Sequence, residues 1–394
     1  MRGALFAASV AAASVAATVT ASGTVAATAG SGWSVVVTPS PAGADVSELT
    51  GVACSGVGAC TAVGDFQSSG GVFTLAERWN GTAFSVQPTP SPASPPAFSV
   101  LRGVSCPAAG ECIAVGGITS SSSPGLTLAE RWDGTAWSTQ RTANQSGSQV
   151  TDNRLLGVSC PAASACTAVG SYQRGDQTFP LAERWNGNRW TLQSVASPPG
   201  AFTSSLAAVS CSTGSACIAV GTSNDGHGAD LPLAEQWNGH AWSIQPVPSP
   251  TSEGGKLAGV SCSAVSACIA VGQFVDQAGA QTFALAERWN GSAWSIQASP
   301  SPSGAADAFL SGVSCPAATS CHAAGHFFNS TNMELTLAQG WDGSAWSVQP
   351  TPNPGSVADT LSAVACPSTT SCVAVGTQYQ AQGKFFALGE RLGG

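Results

Sequence analysis

Gly32-Trp-Ser-Val-Val-Val-Thr-Pro-Ser-Pro41, near the start of the chain, repeats the pattern of Ala345-Trp-Ser-Val-Gln-Pro-Thr-Pro-Asn-Pro354, near its end. The significance of that match depends on what lies between. Cysteines fall in pairs with five residues inside each: Cys54/Cys60, Cys106/Cys112, Cys160/Cys166, Cys211/Cys217, Cys262/Cys268, Cys315/Cys321 and Cys366/Cys372. Successive pairs are 51–54 residues apart, a period that marks a repeat array or propeller. Repeats start near residues 49, 101, 155, 206, 257, 310 and 361.

The fifth repeat reads Leu257-Ala-Gly-Val-Ser-Cys262, Cys268-Ile-Ala-Val-Gly272, Phe283-Ala-Leu-Ala-Glu-Arg-Trp289 and Ala293-Trp-Ser-Ile-Gln297. Each piece is short, rich in β-branched or aromatic residues and bounded by turn formers, so four strands are expected. Asn-Gly or Asp-Gly after the third strand, as in Trp79-Asn-Gly81 and Trp132-Asp-Gly134, supplies a tight hairpin turn. The seventh repeat has a third strand, Phe386-Ala-Leu-Gly-Glu-Arg391, but no fourth after it. The N-terminal stretch 31–41 supplies the missing strand. Pairing the two ends in one sheet removes an exposed edge, which a ring requires and a linear solenoid does not. The expected fold is all-β: a seven-bladed β-propeller of four-stranded antiparallel blades, closed by the N-terminal strand.

Residues 1–29 read as a signal peptide. Met1-Arg2 is a positive start, 4–21 an uncharged Ala-rich run, and Ala27-Thr-Ala29 a cleavage pattern that leaves Gly30 as the new N-terminus. The domain then spans 30–394, is secreted, has no membrane span after cleavage and is a monomer. In that compartment the fourteen cysteines are expected as structural disulfides, each pinning the hairpin of strands one and two across its mouth. Zinc sites need Cys-x2–4-Cys spacing and a second ligand pair, so no metal or other cofactor is expected. Only 9% of residues are charged and the net charge is −8, which excludes nucleic acid as a partner.

The repeated residues read as structural. Trp137, Trp190, Trp242, Trp294 and Trp346, with Phe84 in their place once, fill seams between blades. Glu77/Arg78, Glu130/Arg131, Glu183/Arg184, Glu287/Arg288 and Glu390/Arg391 are expected as ion pairs. Asn80, Asn144, Asn290 and Asn329 carry N-glycosylation triplets. The Val-Ser-Cys-x5-Cys-x-Ala-Val-Gly block followed by Trp-Asn/Asp-Gly-x-x-Trp resembles uncharacterised secreted bacterial repeat propellers. More distantly, it is similar to the Asp-box repeats of sialidase-like propellers. The Asp-box turn keeps one residue between Asp and Gly, whereas Asp133-Gly134 are adjacent. Sialidases also use three arginines and a tyrosine nucleophile, and the only tyrosines here are Tyr172 and Tyr379. The resemblance therefore implies the fold and no catalytic residue.

Loops between strands two and three, with the crossings between repeats, share one face and vary, so a site is expected there. Its polar residues include Asp65, Asp176 and Asp276. The richest stretch is Asn224-Asp-Gly-His-Gly-Ala-Asp230, which nominates Asn224, Asp225, His227 and Asp230 for ligand binding. His326 joins them, because the sixth repeat reads Cys321-His-Ala-Ala-Gly-His326 where the others have Cys-Ile/Thr/Val-Ala-Val-Gly. His322 beside Ala324 reads as volume compensation. The expected function is non-enzymatic binding of an extracellular glycan, such as cell-wall polysaccharide, or of a protein through the variable face. The alternatives are a glycan-cleaving hydrolase or lyase with its site on the central axis, and a purely structural coat protein. A hydrolase needs two carboxylates or a Tyr/His pair converging on that face.

Overall fold

The computed structural model describes residues 32–91, 97–120, 123–226, 228–279 and 281–393. The expected signal peptide lies outside the described residues. The described residues are all-β apart from one 3-10 turn, Ala381–Gly383. In the fifth repeat the strands are Gly255–Ala264, Ala267–Val275, Thr282–Trp289 and Trp294–Gln297, each antiparallel to the next. The same order recurs through the chain.

All seven cysteine pairs are disulfides, and there are no free cysteines among the described residues. Each closes the hairpin of strands one and two across its mouth, as expected, with Cys54 opposite Cys60 and Cys262 opposite Cys268. The second cysteine of each pair is buried: Cys60, Cys166, Cys321 and Cys372 are almost wholly covered, as are Cys112, Cys217 and Cys268. Cys60 packs with Leu49, Leu75 and Trp79, and Cys166 with Leu155, Leu181 and Trp185. The reason is that the second cysteine opens the second strand, which runs through the middle of the sheet. These sulfurs are therefore core atoms as well as cross-links.

The second strand is buried along most of its length, with Ala270 and Val271 fully covered. Both of its faces meet other strands, so it is continuously apolar rather than alternating. The fourth strand is an edge of only four residues, short enough to limit pairing with other chains. At the turn before it, Asn290 Oδ1 accepts hydrogen bonds from the Ser292 and Ala293 N–H groups, both at 2.9 Å, and Gly291 takes φ +97°. Asn and Asp are used at this corner because their side chains replace the missing backbone bonds.

Two motif residues acquire definite roles. The serine of Val-Ser-Cys joins neighbouring repeats. Ser105, Ser159, Ser210, Ser261 and Ser314 each accept a bond at 2.9–3.0 Å from the N–H of the first cysteine of the next repeat. The glycine of Ala-Val-Gly leaves no room for a side chain. A Cβ on Gly272 would collide with the Lys256 carbonyl, and the same collision recurs at Gly64, Gly116, Gly170, Gly221, Gly325 and Gly376. The Gly272→Ala variant is therefore expected to lose about 2 to 3 kcal/mol through overpacking, read as a lower thermal midpoint with the disulfides intact. Little or no change would show that the strand can shift aside.

The N-terminal strand Trp33–Val36 pairs antiparallel with Phe385–Leu392, with Trp33 opposite Leu392 and Val36 opposite Gly389. It stands where Trp346–Gln349 stands on Glu334–Trp341 in the sixth repeat. The first strands of successive repeats touch, and those of the seventh and first repeats touch each other too. Together they line one cavity of about 390 Å³, with Gly51, Gly103, Gly157, Ala208, Gly259, Gly312 and Ala363 on its wall. Glycine recurs there because the strands approach closely: a Cβ on Gly157 would sit 3.0 Å from the Ala208 Cα.

Candidate ligand-binding face

The loop of the fourth repeat follows strand Ala216–Asn224. Asn224 Nδ2 donates to the Gly228 carbonyl (3.0 Å) and to Asp230 Oδ1 (3.1 Å), while Asn224 Oδ1 accepts from the Gly226 N–H (2.6 Å). Asp225 Oδ1 accepts from the Gly228 N–H at 2.8 Å. These side chains thus brace their own exposed turn. His227 lies outside the described residues.

His326 belongs to a separate cluster on strand Ser320–Asn329. Its ring stacks on Phe309 with centroids 4.7 Å apart and meets Phe328 edge-on at 6.0 Å. Nε2 lies 3.4 Å from Glu334 Oε1. Burial pulls the His326 pKa down to about 4 and pushes that of Glu334 up. At neutral pH the imidazole is uncharged, so its contact with Glu334 is not an ion pair there.

Three further residues gather at the same end of the strands. Glu48 and Asp65 are direct cross-strand partners. Arg102, from the next repeat, donates from Nη1 to Glu48 Oε1 at 2.8 Å and lies 3.4 Å from Asp65 Oδ1. Arg102 also lines the 390 Å³ cavity. Burial and the Glu48 charge raise the Asp65 pKa to about 7, against the pull of Arg102. Near neutrality Asp65 is therefore only partly ionised. Glu48 and Glu334 both raise the Tyr379 pKa, after burial, which places the tyrosine within the field of both clusters. The sequence held a signal for this group. Arg102 stands where other repeats carry Thr50, Leu156, Ala207, Ala258, Ser311 and Ser362, and Glu48 stands where they carry mostly uncharged residues.

Two carboxyls thus converge, as a hydrolase would need. However, Glu48 and Asp65 are within hydrogen-bond reach of each other, whereas paired glycosidase carboxyls stand at least about 5 Å apart. The arrangement offers a third-exposed guanidinium, ionised and protonated oxygens and half-exposed rings. Such a set can recognise polar groups.

The expectation that the repeated glutamates are ion-paired is overturned. Glu77, Glu130, Glu183, Glu235, Glu287 and Glu390 are fully buried. Among the described residues the ion pairs lie elsewhere, at Arg102–Glu48, Arg102–Asp65, Arg131–Glu111 and Arg154–Asp152. Burial raises the six pKa values to about 7 at Glu130 and Glu183 and about 8 at the others. Burial thus favours the protonated form of these carboxyls, which are set between repeats. Glu130 accepts from Thr74 Oγ1 at 3.3 Å and Glu183 from the Ala143 N–H at 2.9 Å, each time across a repeat boundary. In the sixth repeat the position is Gln339, which donates to the Pro300 carbonyl and accepts from Ser299 Oγ, both at 2.8 Å. An amide, the neutral analogue of a protonated carboxyl, fits the same slot.

No family model matches the chain, and no curated protein is detectably similar in sequence. Solved structures are similar in fold. YCF48 bound to D1 peptide aligns at a TM-score of 0.52 with 11% identity, covering 92% of this chain and 97% of that one. YCF48 from Cyanidioschyzon merolae aligns at 0.52 with 12% identity over 92% and 98%. A protein of unknown function from Dyadobacter fermentans aligns at 0.51 with 9% identity, again over 92% and 98%. At such identities the likeness speaks for fold alone, and the fold it shows is a β-propeller.

Proposed function

We propose that the mature chain is a secreted seven-bladed propeller, closed by its N-terminal strand, that binds a polypeptide segment on the Arg102 face without catalysing a reaction. The observation that carries this reading is the Arg102–Glu48–Asp65 group at the mouth of the cavity. It departs from the repeat template on a frame otherwise held rigid by disulfides. A guanidinium flanked by carboxyls matches the alternating carbonyl and N–H groups of a peptide backbone, and the rings of Phe309 and His326 offer apolar contact beside it. The loop bearing Asn224, Asp225, His227 and Asp230 is a second contact region on that face. The peptide bound by YCF48 supports a protein ligand. The half-exposed rings keep a glycan as the second reading.

The test is a peptide array and a glycan array probed with residues 30–394, wild type and Arg102→Ala. We expect peptide hits that weaken at least about tenfold in the variant, as for loss of a charge-assisted hydrogen bond. Hits on glycans alone would favour the second reading. Peptide binding unchanged by Arg102→Ala would remove this face from the proposal.

A further inference from the structure

The residue after the second cysteine of each repeat leans on the disulfide of the next. Thr61 Oγ1 lies 3.5 Å from Cys112 Sγ, Thr167 Oγ1 lies 3.7 Å from Cys217 Sγ, and Ile269 packs with Cys315 and Cys321. In the sixth repeat this residue is His322, and one of its ring nitrogens lies within 4.8 Å of both Cys366 and Cys372 Sγ. His322 Nδ1 is 3.3 Å from Gln349 Oε1, which also accepts from Trp33 Nε1 at 3.0 Å. The Thr369 backbone gives the ring a second hydrogen bond. Burial lowers the pKa of the ring, and both bonds work against it. A negative charge beside the ring would tip that balance.

We propose that Cys366–Cys372 is the thiol-exchange site of this chain: the disulfide that a small thiol opens first, with His322 holding the reduced sulfurs. The thiolate of the small thiol attacks one Sγ, and the S–S bond breaks. The electron pair leaves on the other sulfur, while the imidazole takes up the proton that the thiol released. An imidazolium–thiolate pair results, the arrangement that lowers a cysteine pKa and makes a good leaving group. A second small thiol then displaces the mixed disulfide. Two thiols have become one disulfide, and their two electrons reside on Cys366 and Cys372. A groove of about 280 Å³ has Cys372 in its wall with Ser368, Thr370, Ser371 and Arg391, a lining suited to the carboxylates of a small acidic thiol. No other disulfide has a histidine at this position, so the other six serve as internal controls.

The experiment treats the folded chain with graded reduced glutathione, blocks thiols with N-ethylmaleimide and maps the labelled peptides. Cys366 and Cys372 are expected to reach half-reduction at a concentration about tenfold below the median of the other pairs. His322→Ile, the residue found in the second, fourth and fifth repeats, should return this pair to the common range. Ile269→His should confer early reduction on Cys315–Cys321, which keeps the test intact if the first variant folds poorly. Reduction of all pairs in step, or an order unchanged in both variants, would overturn the proposal.

Discussion

Thermal stability is expected to fall as pH rises from about 5 to 8, the reverse of ordinary acid denaturation. The six buried glutamates have folded pKa values raised to about 7 or 8, against about 4 in an unfolded chain. A raised folded pKa contributes stability that is fully present below the unfolded value. That contribution is lost as pH climbs through the folded one. Each tenfold gain in proton affinity on folding corresponds to about 1.4 kcal/mol per group. Water entering the seams will absorb part of this, so a drop on the order of 10 °C across the window is expected. Asp65, raised to about 7, acts in the same direction. His326, lowered to about 4, acts in the opposite direction below about pH 6.5 but is a single group. The check is differential scanning calorimetry from about pH 5 to 8.5 on the wild type and on Glu235→Gln/Glu287→Gln. Gln339 already shows how an amide sits in this position, so the double variant should flatten the curve. A wild-type midpoint that is constant or rises with pH would mean that the carboxyls are ionised and solvated.

The second large effect is expected at the N-terminal strand. Trp33 is buried and donates to Gln349 of the neighbouring repeat, while Thr38 Oγ1 donates to the Ala387 carbonyl at 2.7 Å. Trp33→Ala should cost about 3 to 5 kcal/mol, as other large buried aromatics do. A chain lacking residues 32–41 should do worse, because strand Phe385–Leu392 would then present an unpaired edge to other molecules. Urea unfolding combined with size-exclusion chromatography would show an earlier, broader transition and self-association. A truncated chain that stays monomeric with an unshifted midpoint would show that the strand is decoration.

Most of the fold was legible because the repeat supplies the same answer many times. Strand order, turn chemistry, disulfide pairing and the filling role of the tryptophans all follow from one repeat. The depth of the sulfurs does not, because spacing shows that Cys60 can reach Cys54 without showing that Leu49, Leu75 and Trp79 enclose it. The glutamates were misread for an instructive reason. Glu77 and Arg78 are adjacent in sequence, which suggests a pair, but neighbours on a strand point to opposite faces. Glu77 turns inward, while Arg78 lies over the Trp132 ring of the next repeat at 5.1 Å, as Arg184 lies over Trp237 at 5.0 Å. The period of two was in the sequence. The departure of Arg102 and Glu48 from the repeat was there too, but not their meeting with Asp65, which comes only through the packing of one repeat on the next.

The pairing of Trp33–Val36 with Phe385–Leu392 also sets how the molecule answers to force. Trp33 opposes Leu392, so the two chain ends leave the strand pair at the same end. Tension drawing Gly32 and Gly393 apart would open the backbone bonds one after another from that point, as a zipper opens, instead of loading them together in shear. The clasp is thus mechanically soft at the two ends. Load entering through the blades would meet short disulfide-bridged hairpins, whose cross-links cannot be pulled out in the same way.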